Sequence, residues 1–452
     1  MRATPPGPKQ APLLGNTRQF FRDSLSFMTA CREAYGDVSR FRVGSTDLYL
    51  IANPADIQRV LATEAAHYRK PTFQDSLNEV LGDGLLLNEG NDLWERQRRR
   101  AQPAFQIQRV LHPEATAALT RYTKELLAEW RPGETIDIHS EMLTLTLKAI
   151  GKLMFDVEFE NAEIQRIRKN LEPLGQEFEP NFLQALLPDW APTPPNPRFQ
   201  AGLEGLRQDM LDLVDQRLET TNPTANETEE PADFLTVMLR AFQREADVDE
   251  DLLRDELITI LLAGQDTTAL ALTYTLTLLA EHPEIEVRLH EELVSTLGEG
   301  PIMPETLFEL SSLDRIIKES LRMYPPVHAM AREPRLDVRL GGYRIPKGAG
   351  VLLSQWVTHR DPRWYTEPET FDPDRWQTER RATRPGYAYF PFGGGPRVCI
   401  GKTIAVIEIK LILATILRQY RFERASDEPI ELEPVVTMQP KGPVEMVVRE
   451  WT

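Results

Sequence analysis

The residue most able to do chemistry is a cysteine in a glycine-rich run. Residues 392–401 have the sequence FGGGPRVCIG, which places Cys399 between glycines and two positions after Arg397. Cysteine binds metals as the thiolate, and burial of that charge is costly without compensation. Apolar residues then recur at helical spacing, which predicts a helix beginning near Cys399, where free N–H groups favour negative charge. These residues are Ile400, Ile404, Ile407, Leu411 and Ala414.

The neighbours of Cys399 suit a thiolate bound to a haem iron. The glycines allow the backbone to approach a flat macrocycle and to point N–H groups at the sulfur. Hydrogen bonds of this kind tune the redox potential of a metal centre. Arg397 can pair with a haem propionate. The alternative for Cys399 is a buried, inert cysteine in a tight turn.

A second motif, AGQDTT at residues 263–268, lies in an apolar stretch whose single charge is Asp266. Gly264 and the adjacent hydroxyls are expected to weaken the helix locally and to open a groove for dioxygen and water. Asp266 and Thr267 supply an acid and a hydroxyl, the parts of a proton relay. The alternative is a polar stripe that faces a buried water.

The stretch 257–280 around this motif is long enough to cross a membrane, at ~36 Å for a helix. It lacks a flanking cluster of Lys or Arg, which membrane spans usually carry. We therefore predict a long core helix.

A third motif pairs Glu319 with Arg322, which share one face of a predicted helix. The run FDPDRW at 371–376 follows about fifty residues later and contributes Arg375. A cluster of these three residues would hold the cysteine loop as a structural lock. The alternative is a weak ion pair on the surface.

The fourth motif, WERQR, occupies residues 94–98. Trp94 and Arg98 are four residues apart on one helix face, so both could donate hydrogen bonds to a propionate. Arg332, after a proline-rich turn, is a further candidate. A plain solvated helix is the alternative.

Composition limits the class of protein. The chain has 452 residues, of which 41% are hydrophobic, and a net charge of −17, which argues against a nucleic-acid binder. Its only cysteines are Cys31, expected in the core, and Cys399, so a disulfide framework is unlikely and a reducing compartment fits better. The proline-rich first sixteen residues predict neither a signal peptide nor an anchor. We expect a cytoplasmic protein.

The remaining pattern predicts one continuous domain over residues 1–452. A β-rich lobe is expected at approximately 36–65 and 326–390, and helices in the remainder. Predicted helices cover 20–35, 93–101, 116–130, 138–155, 257–280 and 310–324, with another beginning at Asn53. A hairpin is expected at 38–51, strands at 338–351, and an exposed loop at 220–233.

With four motifs in this order and spacing, the chain resembles the cytochrome P450 superfamily, the haem-thiolate monooxygenases. The resemblance extends from the proline-rich start to the strands near Val435. It implies the cytochrome P450 fold, mainly α with a smaller β-rich lobe. The haem would lie between the long central helix and the cysteine loop.

The resemblance also implies site residues. Cys399 would be the axial ligand of a haem b, Asp266 and Thr267 would deliver protons, and Phe392 would pack beside the thiolate. The propionates would be held by Trp94, Arg98, Arg332 and Arg397. The remaining residues implied at the cofactor are Phe105, Ala263, Gly393 and Gly401.

The implied reaction inserts one oxygen atom from O2 into a hydrophobic substrate, by hydroxylation or epoxidation. Thiolate ligation favours O–O cleavage. No nucleotide-binding fingerprint follows the cysteine region, so electrons would come from a separate ferredoxin, flavodoxin or reductase. We expect Arg96, Arg99 and Arg100 to face an acidic electron donor, with a solvated charged face as the alternative.

The substrate is expected to be a terpenoid, a steroid or a fatty acid, because the implied pocket is mostly apolar. That pocket would draw on residues 181–188 and on Phe73, Leu86, Val327, Met330 and Met438. A monomer is expected. Two other functions stay open: a peroxide-driven haem peroxygenase and a non-catalytic haem sensor or carrier. The Asp266–Thr267 pair favours the O2-dependent enzyme, because peroxide users need no such proton delivery.

Overall fold

The structure describes most of the chain. The computed structural model describes residues 4–12, 14–71, 75–88, 91–177, 196–220, 233–245, 249–298 and 300–451. The predicted loop at 220–233 therefore lies almost entirely outside the described residues, as do Phe73 and residues 181–188.

Helices make up most of the described residues. They are α1 (Thr17–Arg22), α2 (Ser24–Tyr35), α3 (Pro54–Gln58), α4 (Asp75–Leu81), α5 (Asn91–Ala101), α6 (Ile107–Val110), α7 (Pro113–Glu129), α8 (Ile138–Phe155), α9 (Asn161–Glu177), α10 (Pro197–Thr220), α11 (Phe234–Glu245), α12 (Glu250–Glu281), α13 (Pro283–Leu297), α14 (Ser311–Met323), α15 (Gln355–Thr358), α16 (Thr378–Arg381) and α17 (Lys402–Leu417).

The strands are short. They are β1 (Val38–Val43), β2 (Thr46–Ile51), β3 (Tyr68–Arg69), β4 (Thr135–Asp137), β5 (Ala329–Pro334), β6 (Val338–Leu340), β7 (Tyr343–Ile345), β8 (Gly350–Ser354), β9 (Tyr420–Arg424), β10 (Leu432–Pro434), β11 (Met438–Pro440) and β12 (Glu445–Glu450). A five-stranded sheet has the order β1-β2-β8-β5-β3, and a three-stranded sheet has the order β4-β12-β9. The pairs β6-β7 and β10-β11 form separate two-stranded sheets.

The five-stranded sheet is buried on both faces. Along β2, Tyr49 and Ile51 pack into one apolar cluster, whereas Leu48 and Leu50 pack into another on the opposite face. Successive strand residues point to opposite faces, which explains the alternation. The second face covers Cys31, whose burial raises its pKa to about 11. The prediction that Cys31 packs in the core is confirmed.

The central helix α12 is buried among the other helices and packs against α8. A side chain at Gly264 would place its Cβ 2.3 Å from the Cδ1 atom of Ile150, so glycine permits this close approach. The helix is continuous at this point, and local weakening by Gly264 and the adjacent hydroxyls stays a prediction. In the described part of the chain, α12 alone is apolar and long enough to span a membrane, but 72% of its apolar window is buried by protein.

Most predicted elements are confirmed. The hairpin at 38–51 forms with Val38 opposite Ile51, and α8 has the predicted bounds. The prediction of a single helix at 20–35 is wrong, because the helical conformation is interrupted at Asp23 and two helices form. Asp23 is extended there and caps α2 by accepting a hydrogen bond from the Ser26 N–H at 2.9 Å. The predicted bounds of the β-rich lobe are too narrow, because β3, β4, β9, β10, β11 and β12 lie outside them. The single domain stays a prediction.

Helix α17, which follows Cys399, carries a buried acid. Glu408 is 4% exposed between Ile407 and Ile409, which are also buried. Desolvation by these apolar surroundings raises the pKa of Glu408 to about 8. The folded chain therefore holds a proton here that the unfolded chain loses near the ordinary pKa of 4.5.

We predict that Glu408→Gln makes the protein more stable at alkaline pH. Between about pH 4.5 and pH 8 the folded state binds the extra proton, so the free energy of unfolding falls as pH rises. Glutamine cannot ionise, so its advantage should grow from pH 5 to pH 8 by roughly 1–4 kcal/mol. Urea unfolding at several pH values measures it, with the exposed Glu291→Gln as control. A pH-independent difference would contradict the prediction.

Candidate functional site

Cys399 lies in the loop that leads into α17, which begins at Lys402 with Gly401 as its N-cap. Its N–H donates to the Phe392 carbonyl at 3.0 Å, which closes the loop. Burial raises the pKa of the Cys399 thiol, while the backbone N–H groups of Gly401 and Lys402 and the charge of Arg98 act in the opposite direction. The first-turn N–H groups and a guanidinium are thus placed to stabilise a thiolate.

Glycine is required at two positions of this loop. Gly393 and Gly395 have φ angles of +70° and +65°, which side chains rarely adopt. A Cβ on Gly395 would also lie 1.8 Å from the Leu61 carbonyl oxygen. A Cβ on Gly393 would lie 3.4 Å from the Met330 methyl group. The loop therefore packs closely against β5 and the segment after α3.

Two residues are accessible although they lie in the interior. The Cys399 side chain is exposed, yet desolvation is the main influence on its pKa. Ala263 is exposed in the middle of α12, between turns that are largely buried. Both observations are expected of residues that border an internal space. The thiol and the middle of the central helix therefore fit the two sides of an enclosed ligand site.

The acid and the hydroxyl of α12 have different partners. The Thr267 hydroxyl donates to the Ala263 carbonyl at 2.7 Å. The Asp266 carboxylate accepts a hydrogen bond from the Gln439 side chain at 2.8 Å. Consecutive helix residues point about 100° apart, so Thr267 can border the internal space while Asp266 is held by the C-terminal hairpin.

Three of the residues predicted at the propionates come together. The Arg397 guanidinium lies 4.4 Å from the centre of the Trp94 ring and donates to the Asn88 carbonyl at 2.9 Å. Arg98 is half-buried, and desolvation lowers its pKa despite the nearby Cys399. Among the described residues no carboxylate pairs with Arg98. A desolvated guanidinium beside the thiol fits an anionic group, as haem propionates would be.

The other predicted cofactor residues lie around the cysteine loop. Phe105 is buried near Gly401, and the Lys402 ammonium lies 5.8 Å from the Phe392 ring centre. Arg332 is buried on β5 and donates to the Ala331 carbonyl at 2.8 Å.

The predicted substrate residues fall into two groups. Leu86 is 40% exposed, and Val327 and Met330 are half-buried. Met438 is fully buried in the apolar cluster on one face of the five-stranded sheet. A part in substrate contact stays a prediction for each of these residues.

The buried carboxylate of Glu319 organises the segment before the cysteine loop. It accepts hydrogen bonds from Arg322 at 2.9 Å and from Arg375 at 2.7 Å. The Trp376 indole and the Asp372 N–H also donate to it, at 2.9 Å and 3.1 Å. The geometry is that of a fully paired buried ion cluster rather than a surface pair.

The two arginines extend this cluster into the following loop. Arg322 donates to the carbonyls of His359, Pro368 and Thr370, and Arg375 donates to those of Thr366, Glu367 and Thr370. The loop backbone at 366–370 is thereby fixed by side chains from α14 and from the turn at Pro373–Trp376.

Sequence reasoning missed two contacts here. Trp376 lies in the FDPDRW run, but nothing in the sequence indicates that its indole donates to Glu319. Asn88 holds Arg397 through a backbone carbonyl, which no residue type can indicate.

The basic residues of α5 divide between two surface clefts. Arg98 and Arg99 line a cleft of about 490 Å³ with Trp94 and Glu95. Arg96 and Arg100 line a second cleft of about 480 Å³, which also contains Asp83, Asp249, Asp251 and Asp255. That Arg96, Arg99 and Arg100 face an acidic electron donor stays a prediction. Arg99 alone of the three lines the cleft of Trp94 and Arg98.

Comparison with known proteins identifies the family. The family model described as Cytochrome P450 matches residues 5–446. The chain is 32% identical to cyclooctat-9-en-7-ol 5-monooxygenase of Streptomyces melanosporofaciens, over 92% of this chain and 88% of the relative. It is also 32% identical to pentalenene oxygenase of Streptomyces avermitilis, over 92% and 90%. Cyclooctatin synthase of Streptomyces melanosporofaciens is 31% identical, over 97% and 94%.

A solved structure shares the fold. The crystal structure of the cytochrome P450DA haem domain superposes with a TM-score of 0.84 at 23% identity, covering 100% of this chain and 98% of that one. The chain belongs to the cytochrome P450 family. It is a P450 monooxygenase with a haem-thiolate cofactor, and the predicted family and fold are confirmed.

We predict that Arg375→Ala destabilises the protein strongly. The substitution leaves the Glu319 carboxylate buried with one cation fewer, which should cost about 3–5 kcal/mol in unfolding free energy. Urea unfolding provides the measurement. Arg288→Ala is the matched control, because Arg288 forms an exposed 3.3 Å pair with Asp374, worth about 0–1 kcal/mol. Equal losses in the two variants would show that the cluster is not a lock.

Proposed function

We propose that this P450 monooxygenase inserts one oxygen atom from O2 into an apolar terpenoid hydrocarbon or alcohol. The observation that carries the proposal is the Cys399 thiol, which borders an internal space and is surrounded by groups that favour its ionised form. Haem b is the cofactor we propose, with Cys399 as the iron ligand. Trp94, Arg98, Arg332 and Arg397 would hold its propionates.

Bound to a thiolate, a haem activates dioxygen with two electrons and two protons and supplies the inserted oxygen atom. The protein contributes the charge environment and the protons. The N–H groups of Gly401 and Lys402 and the Arg98 guanidinium oppose the rise in the Cys399 pKa that burial causes, and so reduce the cost of an ionised sulfur. Thr267, whose hydroxyl donates to the Ala263 carbonyl, would deliver a proton into the internal space. Asp266, whose side chain points about 100° away around α12, would replenish that proton.

The substrate class is supported by the apolar residues and by the relatives. Ala263 is exposed in the middle of α12 and the Met330 methyl group approaches Gly393 of the cysteine loop, so both offer apolar atoms for contact with a substrate. The names of the Streptomyces relatives specify pentalenene, an unsaturated hydrocarbon, and cyclooctat-9-en-7-ol, an unsaturated alcohol. Such compounds offer few polar groups, so burial of apolar area would supply most of the binding energy.

A screen of ligands tests this substrate class. Cyclic terpenoid hydrocarbons and alcohols, steroids and fatty acids are added to the haem-loaded protein, and the haem spin-state shift is recorded. We expect the terpenoids to give the largest shift and to yield monooxygenated products with an electron donor and O2. Shifts with fatty acids or steroids alone would contradict the terpenoid class. If turnover with peroxide alone equals turnover with an electron donor and O2, the result would favour the peroxygenase.

We predict that Thr267→Ala uncouples electron use from product formation. Loss of the hydroxyl removes a positioned proton donor, so product formed per electron should fall roughly ten-fold or more. Product and consumed reductant are measured together. Thr277→Ala on the same helix is the control, because the Thr277 hydroxyl bonds the Thr273 carbonyl in the buried core. Unchanged coupling in Thr267→Ala would contradict the relay.

A separate electron donor is proposed to dock at the cleft of Trp94, Arg98 and Arg99. Arg99 is exposed there and would attract an acidic ferredoxin, flavodoxin or reductase. We also propose a cytoplasmic location, since the described Cys31 and Cys399 are both free thiols, as expected in a reducing compartment. The monomeric state stays a prediction.

We predict that Arg99→Glu slows reduction of the protein by an acidic donor about ten-fold at low salt, with a smaller effect at high salt. Stopped-flow reduction at two salt concentrations measures this. The control is Arg96→Glu, which makes the same charge change in the other cleft. Equal slowing in both variants would place the donor elsewhere or show a general charge effect.

A further inference from the structure

The N-terminal part of α12 holds a turn that precedes α5. Residues 82–88, here called the pre-α5 turn, follow directly after α4. The Leu85 N–H donates to the Glu256 carboxylate at 3.1 Å. The Asp83 N–H donates to the Asp255 carboxylate, also at 3.1 Å. Two neighbouring carboxylates of α12 therefore bind two backbone N–H groups of one turn.

Two glycines allow the pre-α5 turn to lie close to α12. Gly82 has a φ angle of +50°, and a Cβ on it would lie 1.8 Å from the Asp255 Oδ2 atom. A Cβ on Gly84 would lie 2.1 Å from the Thr259 hydroxyl oxygen. Glu256, one residue after Asp255, has no exposed surface. The backbone of the turn is therefore packed directly against α12 around Glu256.

The other end of the pre-α5 turn reaches Arg397 of the cysteine loop. The Asn88 carbonyl accepts a hydrogen bond from the Arg397 guanidinium at 2.9 Å. The Asn88 side-chain amide donates to Gln97 of α5 at 3.0 Å, and the Gln97 amide donates to the Asp83 carbonyl at 2.7 Å. These bonds join the two ends of the turn. A displacement of the turn from α12 would therefore move the carbonyl that Arg397 binds.

Burial of the Glu256 carboxyl is costly. Desolvation raises its pKa to about 7, while the Leu85 N–H and Gln97 act in the opposite direction. An apolar side chain in its place would avoid this desolvation cost but would leave the buried Leu85 N–H without its acceptor. Glu256 therefore fixes the position of the pre-α5 turn at a cost in stability.

We propose that Glu256 is a positioning residue that acts through Arg397. Glu256 holds the pre-α5 turn, the turn presents the Asn88 carbonyl, and that carbonyl orients the guanidinium of Arg397. This inference rests on the proposed function, because it takes Arg397 as a ligand of a haem propionate. The hydrogen bonds themselves lie within the chain, so α12 and the cysteine loop are linked on one side of the site.

The first measurement is the rate at which the haem-loaded protein transfers haem to an excess of apomyoglobin. Glu256→Ala removes the acceptor of the Leu85 N–H and should accelerate haem loss roughly ten-fold or more. Glu256→Gln retains an acceptor oxygen and should stay close to the wild-type rate. Hydrogen exchange followed by mass spectrometry reports on the turn itself. Residues 82–88 should exchange about ten-fold faster in Glu256→Ala and not in Glu256→Gln.

A double-mutant cycle tests whether Glu256 acts through Arg397. Arg397→Gln should itself accelerate haem loss. In that background, Glu256→Ala should accelerate haem loss further by less than about two-fold, because the guanidinium that transmits its effect is gone. The matched control is Glu286→Ala, at a buried glutamate that accepts from the Phe422 N–H at 3.4 Å and has a pKa raised by burial to about 7. Its small effect should be the same with and without Arg397.

Two further measurements keep the test decisive if a variant fails. If Glu256→Ala misfolds, Gln97→Leu takes its place in the cycle, because it removes the bonds from Gln97 to Asn88 and Asp83. The same dependence on Arg397 is expected. If Arg397→Gln does not retain haem, hydrogen exchange at residues 392–401 replaces the cycle. Exchange there should rise in Glu256→Ala and stay unchanged in Glu286→Ala.

The outcomes separate this inference from the proposed function. If Glu256→Ala accelerates haem loss equally with and without Arg397, the inference is overturned, even in an active monooxygenase. Equal haem loss in Glu256→Ala and Glu286→Ala, or in Glu256→Ala and Glu256→Gln, would also overturn it. A reduced carbon-monoxide complex without a haem-thiolate spectrum would instead refute the proposed function. Hydrogen exchange at residues 82–88 would then still show whether Glu256 holds the pre-α5 turn.

Discussion

The proposed function depends on the stabilisation of one negative charge, a thiolate at Cys399, inside protein. Burial opposes that charge, and the first N–H groups of α17 together with Arg98 favour it. These groups act only if the loop before α17 is held in place. The loop is closed by the hydrogen bond from Cys399 to Phe392, and Gly395 fits against Leu61 where no side chain could. Backbone geometry therefore positions the Cys399 sulfur, and the nearby charges favour its ionised form.

The Glu319 cluster extends this constraint to the chain before the loop. Its carboxylate receives both arginines and the Trp376 indole, and the arginines bind carbonyls at 366–370. A buried ion cluster contributes little net stability compared with apolar packing, but its partners cannot be removed singly without leaving a buried charge. That property makes the cluster suited to holding one loop conformation. On the other side of the site, α12 gives Thr267 and Asp266 separate environments with little change in the helix.

Much of this arrangement could be predicted from residue spacing. The hairpin at 38–51 and α8 follow from local periodicity, and Glu319, Arg322 and Arg375 have charges that need each other once buried. Other features depend on tertiary contacts. Asp23 ends α1 because its side chain caps α2. Gly264 allows the close approach of Ile150. Asn88 binds Arg397 through its backbone carbonyl. Arg96 and Arg99 line different clefts, and the cleft that contains Arg96 is formed together with residues of α11 and α12.

The central claim is that the Cys399 sulfur bonds directly to a haem iron. Iron K-edge X-ray absorption fine structure of the haem-loaded protein tests it, with Cys399→His as the comparison. The account predicts one sulfur atom in the first coordination shell of iron in the wild-type protein and none in the variant. A first shell of nitrogen and oxygen alone in the wild type, or sulfur retained in the variant, would contradict it.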